Sequence, residues 1–403
     1  MPQSPKQILA VTIVPINVLF LHAGDDWIRG SEIALLTLLR RLNRERIKPF
    51  LLCRHQILGE TAQGEGIPTE VYPIPQIMLD FGSSEFSVAK WAAGLRKILS
   101  LIKKWNIELL YSNGGSPCQL AYYAGKMRKL PVICHVHCPY HKRYILFYRF
   151  HRAHKVIFVS EAVQRKAHRK VRFRNASEVV YCGIDIQHFH PARERRSSLR
   201  EKLSLSQEAF VFGQISSLIP RKGIDLLLRA FALVAREHDH ARLVLVGDGP
   251  QSGSYLALAR ELGVAEKVRF VGFQPDPLPF YQSVFDVNVL ASRSEALPLC
   301  LMEAAACGLP SLAARVDGIP EAVIDHETGF LFEAEDYQVL ADKMKVLISS
   351  PTLRANLGRG ARKLAEQKFS QDQYVDSIDR IITEQVGLAE RNLAACRAVS
   401  VPD

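Results

Sequence analysis

Apolar runs of five or six residues recur along the second half of the chain, and helical spacing follows them. The runs cover residues 210–215, 242–246, 268–273, 286–290 and 309–313. After the first run, Leu226, Leu227, Ala230, Phe231 and Val234 recur at the intervals that place them on one face of a helix. Strands that alternate with helices at this length form a parallel sheet with helices on both faces. The pattern therefore predicts an α/β fold.

Two glutamates flank a predicted helix start at Pro298 and Leu299. Seven residues separate Glu295 from Glu303, so the first falls in the loop before the helix and the second lies more than one turn inside it. The first backbone N–H groups and the positive end of the helix dipole lie between them and suit a phosphate. A nucleotide sugar could then be held at both ends. The alternative is an ordinary helix start with a solvated acid on each side.

Several other residues follow the ends of predicted strands. Lys222 ends the loop after the first run, Gly247 begins a glycine turn, and Phe273 follows Gly272. Ligands of doubly wound sheets bind at the carboxyl ends of strands, where these residues and Glu295 all fall. A lysine there can reach a phosphate as a flexible point charge, although a solvated loop lysine fits the sequence equally well.

The order of these motifs resembles glycosyltransferase family 4, a family of retaining enzymes with the GT-B fold. The resemblance covers roughly residues 17 to 385. Its motifs are Gly30-Ser-Glu32, Pro131-Val-Ile followed by His137, Val159-Ser160, Gly183-Ile-Asp185, Pro220-Arg-Lys-Gly223, Gly247-Asp-Gly-Pro250, Val271-Gly-Phe273, Ser294-Glu295 through Glu303-Ala304, and Gly318-Ile-Pro-Glu321.

The resemblance implies two Rossmann-like doubly wound domains that face each other across a cleft. Residues 1–190 would form the acceptor-binding domain and residues 191–370 the nucleotide-sugar-binding domain. A linker is expected at residues 191–198, where polar and charged residues break the apolar pattern. The helical pattern of residues 371–397 is expected to return to the N-terminal domain, within a last segment of residues 371–403.

The resemblance also implies roles for individual residues. Glu295 would contact hydroxyls of the donor sugar, Glu303 would hold the ribose, and Lys222 would neutralise the diphosphate. Glu295, Lys222 and His137 are the predicted catalytic residues. The remaining predicted donor-site residues are Arg221, Ser217, Gly247, Phe273, Pro298, Leu299 and Gly30.

Three positions depart from the family pattern. Ser217 replaces the usual diphosphate-binding arginine, and Arg221 and Arg293 are the two candidates to compensate for the lost cation. Asp317 stands where a second glycine is usual, and Ala296 replaces the glycine after the first glutamate.

His137 shares its strand face with His135 if the preceding strand continues, and it lies nearer the cleft. The family position of His137 is close to the donor sugar and the acceptor. A structural histidine with satisfied hydrogen bonds is the alternative. Gly24 and Gly30 flank the loop after the first strand, where Asp25, Asp26 and Trp27 are not typical of the family and could shape the acceptor site.

Metal binding is not predicted. The eight cysteines are scattered, and the pair nearest to a zinc pattern, Cys134 and Cys138, lacks a second pair at suitable spacing. No Asp-x-Asp pair suited to a metal-bound diphosphate is present, so we expect cations and helix termini to act instead. The thiols are expected to be reduced and the protein cytoplasmic.

Positive charge is concentrated in the first half of the chain. Residues 1–190 hold 27 Lys and Arg against 13 Asp and Glu, whereas the net charge of the whole chain is +11. Residues 142–174 mix aromatic and apolar residues with cations, which is typical of a segment on an anionic membrane surface. The alternative is a buried helix with a basic solvated face. Nucleic acid is not an expected partner, because no nucleic-acid-binding motif is present.

The segment Ile8–Leu21 contains Pro15 and Asn17 and is too short to span a bilayer. It could pass for a signal peptide, but the resemblance places residues 16–21 in the first strand. The sequence thus predicts a retaining glycosyltransferase that moves a hexose from a nucleotide diphosphate sugar to a lipid-linked or polysaccharide acceptor. We expect it at the inner face of the membrane. The rival functions are a sugar-nucleotide epimerase of the same fold and a non-catalytic acceptor-binding partner subunit.

Overall fold

The computed structural model describes residues 14–24, 26–75, 87–191 and 198–399, with side chains up to residue 391. Most of the predicted linker at residues 191–198, Asp25 and the start of the apolar segment from Ile8 lie outside these residues. The described chain forms two parallel sheets, each with helices packed on both faces.

The first sheet has seven strands in the order β3-β2-β1-β4-β5-β6-β7. They are β1 Ile16–His22, β2 Ile47–Cys53, β3 Thr69–Val71, β4 Leu109–Asn113, β5 Val132–Val136, β6 Lys155–Phe158 and β7 Ser177–Val179. The helices of this part are α1 Gly30–Arg41, α2 Gln56–Gly64, α3 Val88–Lys104, α4 Cys118–Arg128, α5 Lys142–Phe147 and α6 Glu161–His168. Residues 18–22 of β1 are buried without alternation, as expected of a strand covered on both faces.

The second sheet has six strands in the order β10-β9-β8-β11-β12-β13. They are β8 Phe210–Ile215, β9 Ala241–Val246, β10 Val268–Gly272, β11 Val287–Leu290, β12 Ser311–Ala314 and β13 Gly329–Phe332. The helices are α7 Ser198–Lys202, α8 Ile224–Glu237, α9 Ser252–Glu261, α10 Leu299–Ala306, α11 Ile319–Ala322, α12 Tyr337–Ser349 and α13 Pro351–Lys368. All five residues predicted on the apolar face of α8 are buried.

The last helix, α14 Gln371–Val399, leaves the second unit and packs on the first. Its Tyr374, Ile378 and Ile382 belong to the same buried cluster as Val18 and Phe20 of β1. Burial of several large apolar side chains, each contributing about 1.5–3 kcal/mol, fixes this helix against the first sheet.

The strand order reverses between β1 and β4 in the first sheet and between β8 and β11 in the second. At such a reversal the connections leave in opposite directions, so a crevice opens beyond the carboxyl ends of the two strands. These two crevices hold the polar residues described next.

Candidate functional site

Lys222 and Glu295 meet at the crevice between β8 and β11. The Lys222 ammonium donates to Glu295 Oε1, which also accepts from Ser292 Oγ at 2.9 Å. Arg221 Nη1 lies 3.3 Å from Glu295 Oε2. Glu295 is only 6% exposed, so its charge is held by these cations and hydrogen bonds rather than by bulk water. The two residues, which are 73 positions apart in the sequence, therefore form one buried ion pair.

Gly223 allows this approach. Its φ is +64°, and a Cβ at this position would lie 1.8 Å from the carbonyl oxygen of Ala291, just beyond β11. Only a residue without a side chain fits both the conformation and the space. The β8–α8 loop is thereby pressed against the end of β11, which places Lys222 beside Glu295.

The structure distinguishes between the two arginines proposed to replace the missing family arginine. Arg293 donates to both carboxylate oxygens of Asp225, at 2.9 and 2.8 Å, and of Glu335, at 2.6 and 3.1 Å. These hydrogen bonds raise the pKa of Arg293 further above its usual range. Its guanidinium group is thus already paired with two carboxylates. Arg221 donates to the carbonyl of Ser294 at 2.8 Å and keeps a half-exposed side chain. Ser217 is partly buried after β8, where its carbonyl accepts from Ile219 N at 3.0 Å.

Glu303 lies in α10, which begins at Leu299 with Pro298 as its N-cap residue. Tyr281 Oη donates to Glu303 Oε2 at 3.0 Å. Burial raises the pKa of Glu303 to about 7, which the Tyr281 hydrogen bond opposes. Cys300, in the first turn of α10, lies within electrostatic reach of Lys222, Glu295 and Glu303. The two glutamates thus flank the start of one helix in space as well as in sequence.

Gly247 and Phe273 occupy the neighbouring strand ends. Gly247 N donates to the carbonyl of Gly272 at 2.8 Å, and a Cβ on Gly247 would lie 2.0 Å from the carbonyl oxygen of Ser216. Phe273 is 70% exposed, although it is a large apolar residue. Gly30 begins α1 on the other side of the cleft, and a Cβ there would lie 3.8 Å from Leu299 Cδ1. The predicted donor-site residues are therefore grouped at the crevice of the second sheet, with Gly30 facing them.

A buried polar chain follows the crevice between β1 and β4. His22 Nε2 contacts Glu32 Oε1 at 2.7 Å, Asn113 Nδ2 contacts His22 Nδ1 at 3.0 Å, and His137 Nε2 contacts Asn113 Oδ1 at 2.7 Å. These contacts fit one proton arrangement, in which His137 donates to Asn113, Asn113 donates to His22, and His22 donates to Glu32. His137 Nδ1 then carries a lone pair that can accept a hydrogen bond.

His137 is neutral at physiological pH. Burial lowers its pKa to about 4, with a further contribution from nearby His22 and an opposing one from Glu32. A neutral imidazole with a fixed tautomer can accept a hydroxyl proton, whereas an imidazolium cannot. Sequence reasoning named His137 but missed His22 and Asn113. Both could have been found from the sequence, because each is a polar residue at the end of an apolar strand.

Two acids of the second unit hold the first unit across the cleft. Glu321 accepts from the backbone N–H groups of Glu161 and Ala162, both at 2.8 Å, at the start of α6. Asp317 pairs with Lys166 of the same helix. Asp317 has a φ of +46°, which explains why glycine is usual at this position. Its carboxylate also accepts from Ser294 Oγ at 2.5 Å and Glu295 N at 3.1 Å, so this departure from the family pattern links the cleft to α6.

The aromatic residues of the basic segment are turned mostly inward. Tyr144, Ile145, Tyr148 and Phe150 are buried in the core of the first unit, while Leu146 is 39% exposed. The alternative of a buried helix with a basic solvated face therefore describes this segment better than an apolar membrane-inserting face. No helix in the described part of the chain is long and apolar enough to cross a bilayer.

Among the described residues, one group of three side chains could hold a metal ion. It comprises His135, His137 and Cys182, whose donor atoms all lie within 4.8 Å of one another.

Comparisons with known proteins agree with this architecture. The family model "Glycosyltransferase Family 4" matches residues 28–188, and the model "Glycosyl transferases group 1" matches residues 195–364. Together they cover all of the second sheet and the first sheet apart from β1, which precedes the first matched residue. The chain belongs to the family 4-like glycosyltransferases.

The chain is 30% identical over 226 residues to the N-acetyl-alpha-D-glucosaminyl L-malate synthase of Bacillus anthracis. That match covers 56% of this chain and 58% of the relative. It is 33% identical over 198 residues to a GDP-mannose-dependent phosphatidylinositol monomannoside mannosyltransferase of Mycolicibacterium smegmatis, covering 47% and 52%. The chain thus spans somewhat more than half the length of these curated relatives.

Solved structures share the fold of this chain. Anabaena Alr3699/HepE in complex with UDP superposes with a TM-score of 0.80 at 22% identity, over 92% of this chain and all of that one. The outer core galactosyltransferase WaaB superposes with a TM-score of 0.71 at 16% identity and similar coverage. At these identities the likeness shows the two-domain, Rossmann-like GT-B fold, and it confirms the fold class predicted from the sequence.

Proposed function

We propose that this protein is a retaining glycosyltransferase that transfers a hexose from a nucleotide diphosphate sugar to an acceptor hydroxyl. One observation carries the proposal: Lys222, Arg221 and Glu295 are in contact at the crevice of the second sheet, close to the start of the helix that holds Glu303. Cations, a buried carboxylate and a helix start suit the diphosphate, sugar and ribose of such a donor.

Each residue then has a defined task. Lys222 and Arg221 take up the charge that develops on the departing diphosphate, which lowers the barrier without a metal ion. Glu295 accepts hydrogen bonds from sugar hydroxyls, and Glu303 accepts them from the ribose. His137 presents Nδ1 from the opposite side of the cleft, where it can accept a hydrogen bond from a sugar or acceptor hydroxyl.

Contacts between the two units support exclusion of water from the reaction. Ala296, Leu297 and Leu299 of the second unit pack against the hydrophobic core of the first. A closed cleft strengthens the electrostatic contacts inside it and limits hydrolysis of the donor.

The acceptor that fits best is anionic and lipid-linked, with an anionic polysaccharide as the alternative. Residues 1–190 carry the excess of positive charge. The names of relatives refer to L-malate, phosphatidylinositol monomannoside and D-inositol 3-phosphate, and each of these carries negative charge. The cationic half would then bring the protein, as a cytoplasmic peripheral protein, to the anionic inner face of the membrane.

A screen of nucleotide sugars by thermal shift identifies the donor, because a ligand that binds the folded protein raises its unfolding temperature. Mass spectrometry of reactions with that donor, with and without candidate lipid acceptors, then tests transfer. An altered sugar nucleotide from the donor alone would instead indicate an epimerase, and binding without any product would indicate a non-catalytic subunit. Glu295→Gln should lose most turnover while keeping nucleoside diphosphate affinity, and wild-type turnover in this variant would refute the role of Glu295.

A further inference from the structure

Three side chains of types that can bind a metal lie close together in the first unit, near the ends of β5 and β7. His135 is the penultimate residue of the buried strand β5, His137 directly follows that strand, and Cys182 lies in the segment after β7. One donor atom of each lies within 4.8 Å of those of the other two, and the imidazole centroids are 4.2 Å apart.

His135 is the strongest indication of a ligand. The residue is fully buried, and its Nδ1 is hydrogen-bonded to Tyr111 Oη at 2.8 Å. Its Nε2 is also buried but has no hydrogen-bond partner among the described residues. A buried polar atom without a partner costs about 1–3 kcal/mol, so such atoms are rare unless they serve a ligand.

Both imidazoles already have the outer hydrogen bond that metal ligands need. Nearly every histidine that binds a metal donates its other ring N–H to a neighbouring acceptor, which fixes the tautomer. His135 can donate Nδ1–H to Tyr111, and His137 can donate Nε2–H to Asn113. The lone pairs of His135 Nε2 and His137 Nδ1 are then available for a metal ion.

We propose that His135, His137 and Cys182 bind a divalent transition metal of the Zn²⁺ class. Two imidazoles and one thiolate are typical zinc ligands, and three protein ligands leave a fourth position for water. Bond lengths of about 2.0–2.3 Å place tetrahedral ligand atoms about 3.5 Å apart, so binding requires the side chains to close by roughly 1 Å. Cys182 binds as the thiolate and releases its proton to solvent.

The metal would inhibit sugar transfer rather than assist it. It would occupy His137 Nδ1, the atom proposed above to accept a hydroxyl hydrogen bond, and would bring positive charge beside it. This consequence rests on the proposed function, whereas binding of the metal does not. The ring of Tyr374, at the start of α14, is tilted by 41° against that of His135 with centroids 6.1 Å apart, and its buried hydroxyl has no hydrogen-bond partner among the described residues.

The test uses the full chain under thiol-reducing conditions. Zn²⁺ binding is measured by equilibrium dialysis with elemental analysis, and Co²⁺ binding by the thiolate-to-cobalt charge-transfer absorption. We expect one equivalent of Zn²⁺ and a charge-transfer band in the wild type. Cys182→Ser should lose the band and bind Zn²⁺ more than about tenfold less tightly, since even loss of an outer hydrogen bond costs 10- to 100-fold. Cys53→Ser, at another buried cysteine of the first unit, is the matched control.

His135→Gln provides a second variant if Cys182→Ser unfolds, and thermal unfolding of each variant without metal checks that it is folded. Absence of the charge-transfer band in the wild type, or equal Zn²⁺ affinity in Cys182→Ser and Cys53→Ser, would overturn the proposal. Once donor and acceptor are known, Zn²⁺ should inhibit the wild type and Cys53→Ser but not Cys182→Ser. Equal inhibition of all three would overturn the regulatory role, and an inactive protein that binds Zn²⁺ would refute only the proposed transfer.

Discussion

At the scale of single residues, the acids and cations of the cleft are held in states set by their neighbours. Glu303 shows this effect most clearly. Burial raises its pKa to about 7, so at neutral pH its carboxyl group is protonated in a large fraction of the molecules. A protonated carboxyl accepts fewer hydrogen bonds than a carboxylate. Lys222 and Glu295 satisfy each other's charge, so substitution of either one leaves the other without its closest partner.

Nucleoside diphosphate binding should depend on the ionisation of Glu303. The carboxylate form accepts hydrogen bonds from two ribose hydroxyls, so affinity should rise as the pH increases through about 7. Isothermal titration calorimetry from mildly acidic to mildly alkaline pH measures this. Glu303→Ala should weaken binding by about 1–3 kcal/mol and remove the dependence. An unchanged affinity for the nucleotide in Glu303→Ala would exclude Glu303 from the ribose site.

Lys222→Ala should weaken binding of a nucleoside diphosphate more than binding of the corresponding nucleoside, because Lys222 is expected to contact phosphate oxygens. A loss of about 1–3 kcal/mol is typical of a charge-assisted contact. Calorimetry with both ligands gives the comparison, and Ser217→Arg should tighten the diphosphate alone by restoring the missing cation. Equal losses of affinity for the nucleoside and the diphosphate would mean that Lys222 stabilises the local structure around Glu295 and does not contact phosphate.

At the scale of elements, hydrogen bonds and an ion pair link the second unit to helix α6 of the first. Glu321 brings a carboxylate from α11 to the exposed N–H groups of α6, where the helix dipole favours negative charge. Asp317 adds an ion pair with Lys166 and at the same time contacts the loop of Glu295. A change in the separation of the units would therefore alter the contacts of Glu295, the residue proposed to bind the donor sugar.

Glu321→Ala should loosen this junction by about 1–2 kcal/mol, because two N–H groups at the start of α6 lose their carboxylate acceptor while the Ser160 cap remains. Hydrogen–deuterium exchange should accelerate at the amides of Glu161 and Ala162 while the sheets keep their protection. Glu366→Gln is the control, since that acid pairs with Arg362 four residues earlier on the surface of α13. Unchanged exchange at α6 in Glu321→Ala would show that the Glu321 carboxylate does not stabilise this junction.

At the scale of the whole molecule, the excess of positive charge lies on the first unit and the proposed donor-site residues lie mainly on the second. Most cations of residues 142–174 are exposed, while most of the aromatic residues among them are buried. The protein would then bind a membrane through electrostatic attraction, without inserting apolar side chains, and salt would weaken this binding.

Replacement of Lys142, Arg143, Arg149 and Arg152 by glutamine should release the protein from anionic vesicles, since each well-placed cation contributes about 1 kcal/mol. Co-sedimentation at low and high salt is the measurement, and donor binding should be retained. Replacement of four cations of the second unit, Arg229, Arg236, Arg260 and Lys363, is the matched control. If the wild type does not bind anionic vesicles even at low salt, a polysaccharide or soluble acceptor becomes the better proposal.

The secondary structure and the positions of the two glutamates relative to a helix could be predicted from local spacing and chain order. The alternation of apolar runs and helical faces indicated the parallel α/β units, and the positions of Glu295 and Glu303 around Pro298 set them on either side of a helix start. These features follow from neighbours within a few residues, because helix and strand periodicities are local properties of the chain.

Contacts between polar side chains that are remote in sequence became known only from the tertiary structure. The ends of β1, β4 and β5 bring His22, Asn113 and His137 into one hydrogen-bonded chain, although 115 residue numbers separate its ends. Arg293 and Arg221 are equivalent candidates in sequence, but Asp225 and Glu335 engage only Arg293. A parallel sheet places strand ends that are remote in sequence at one edge, and competition among nearby acids then decides which cation stays available.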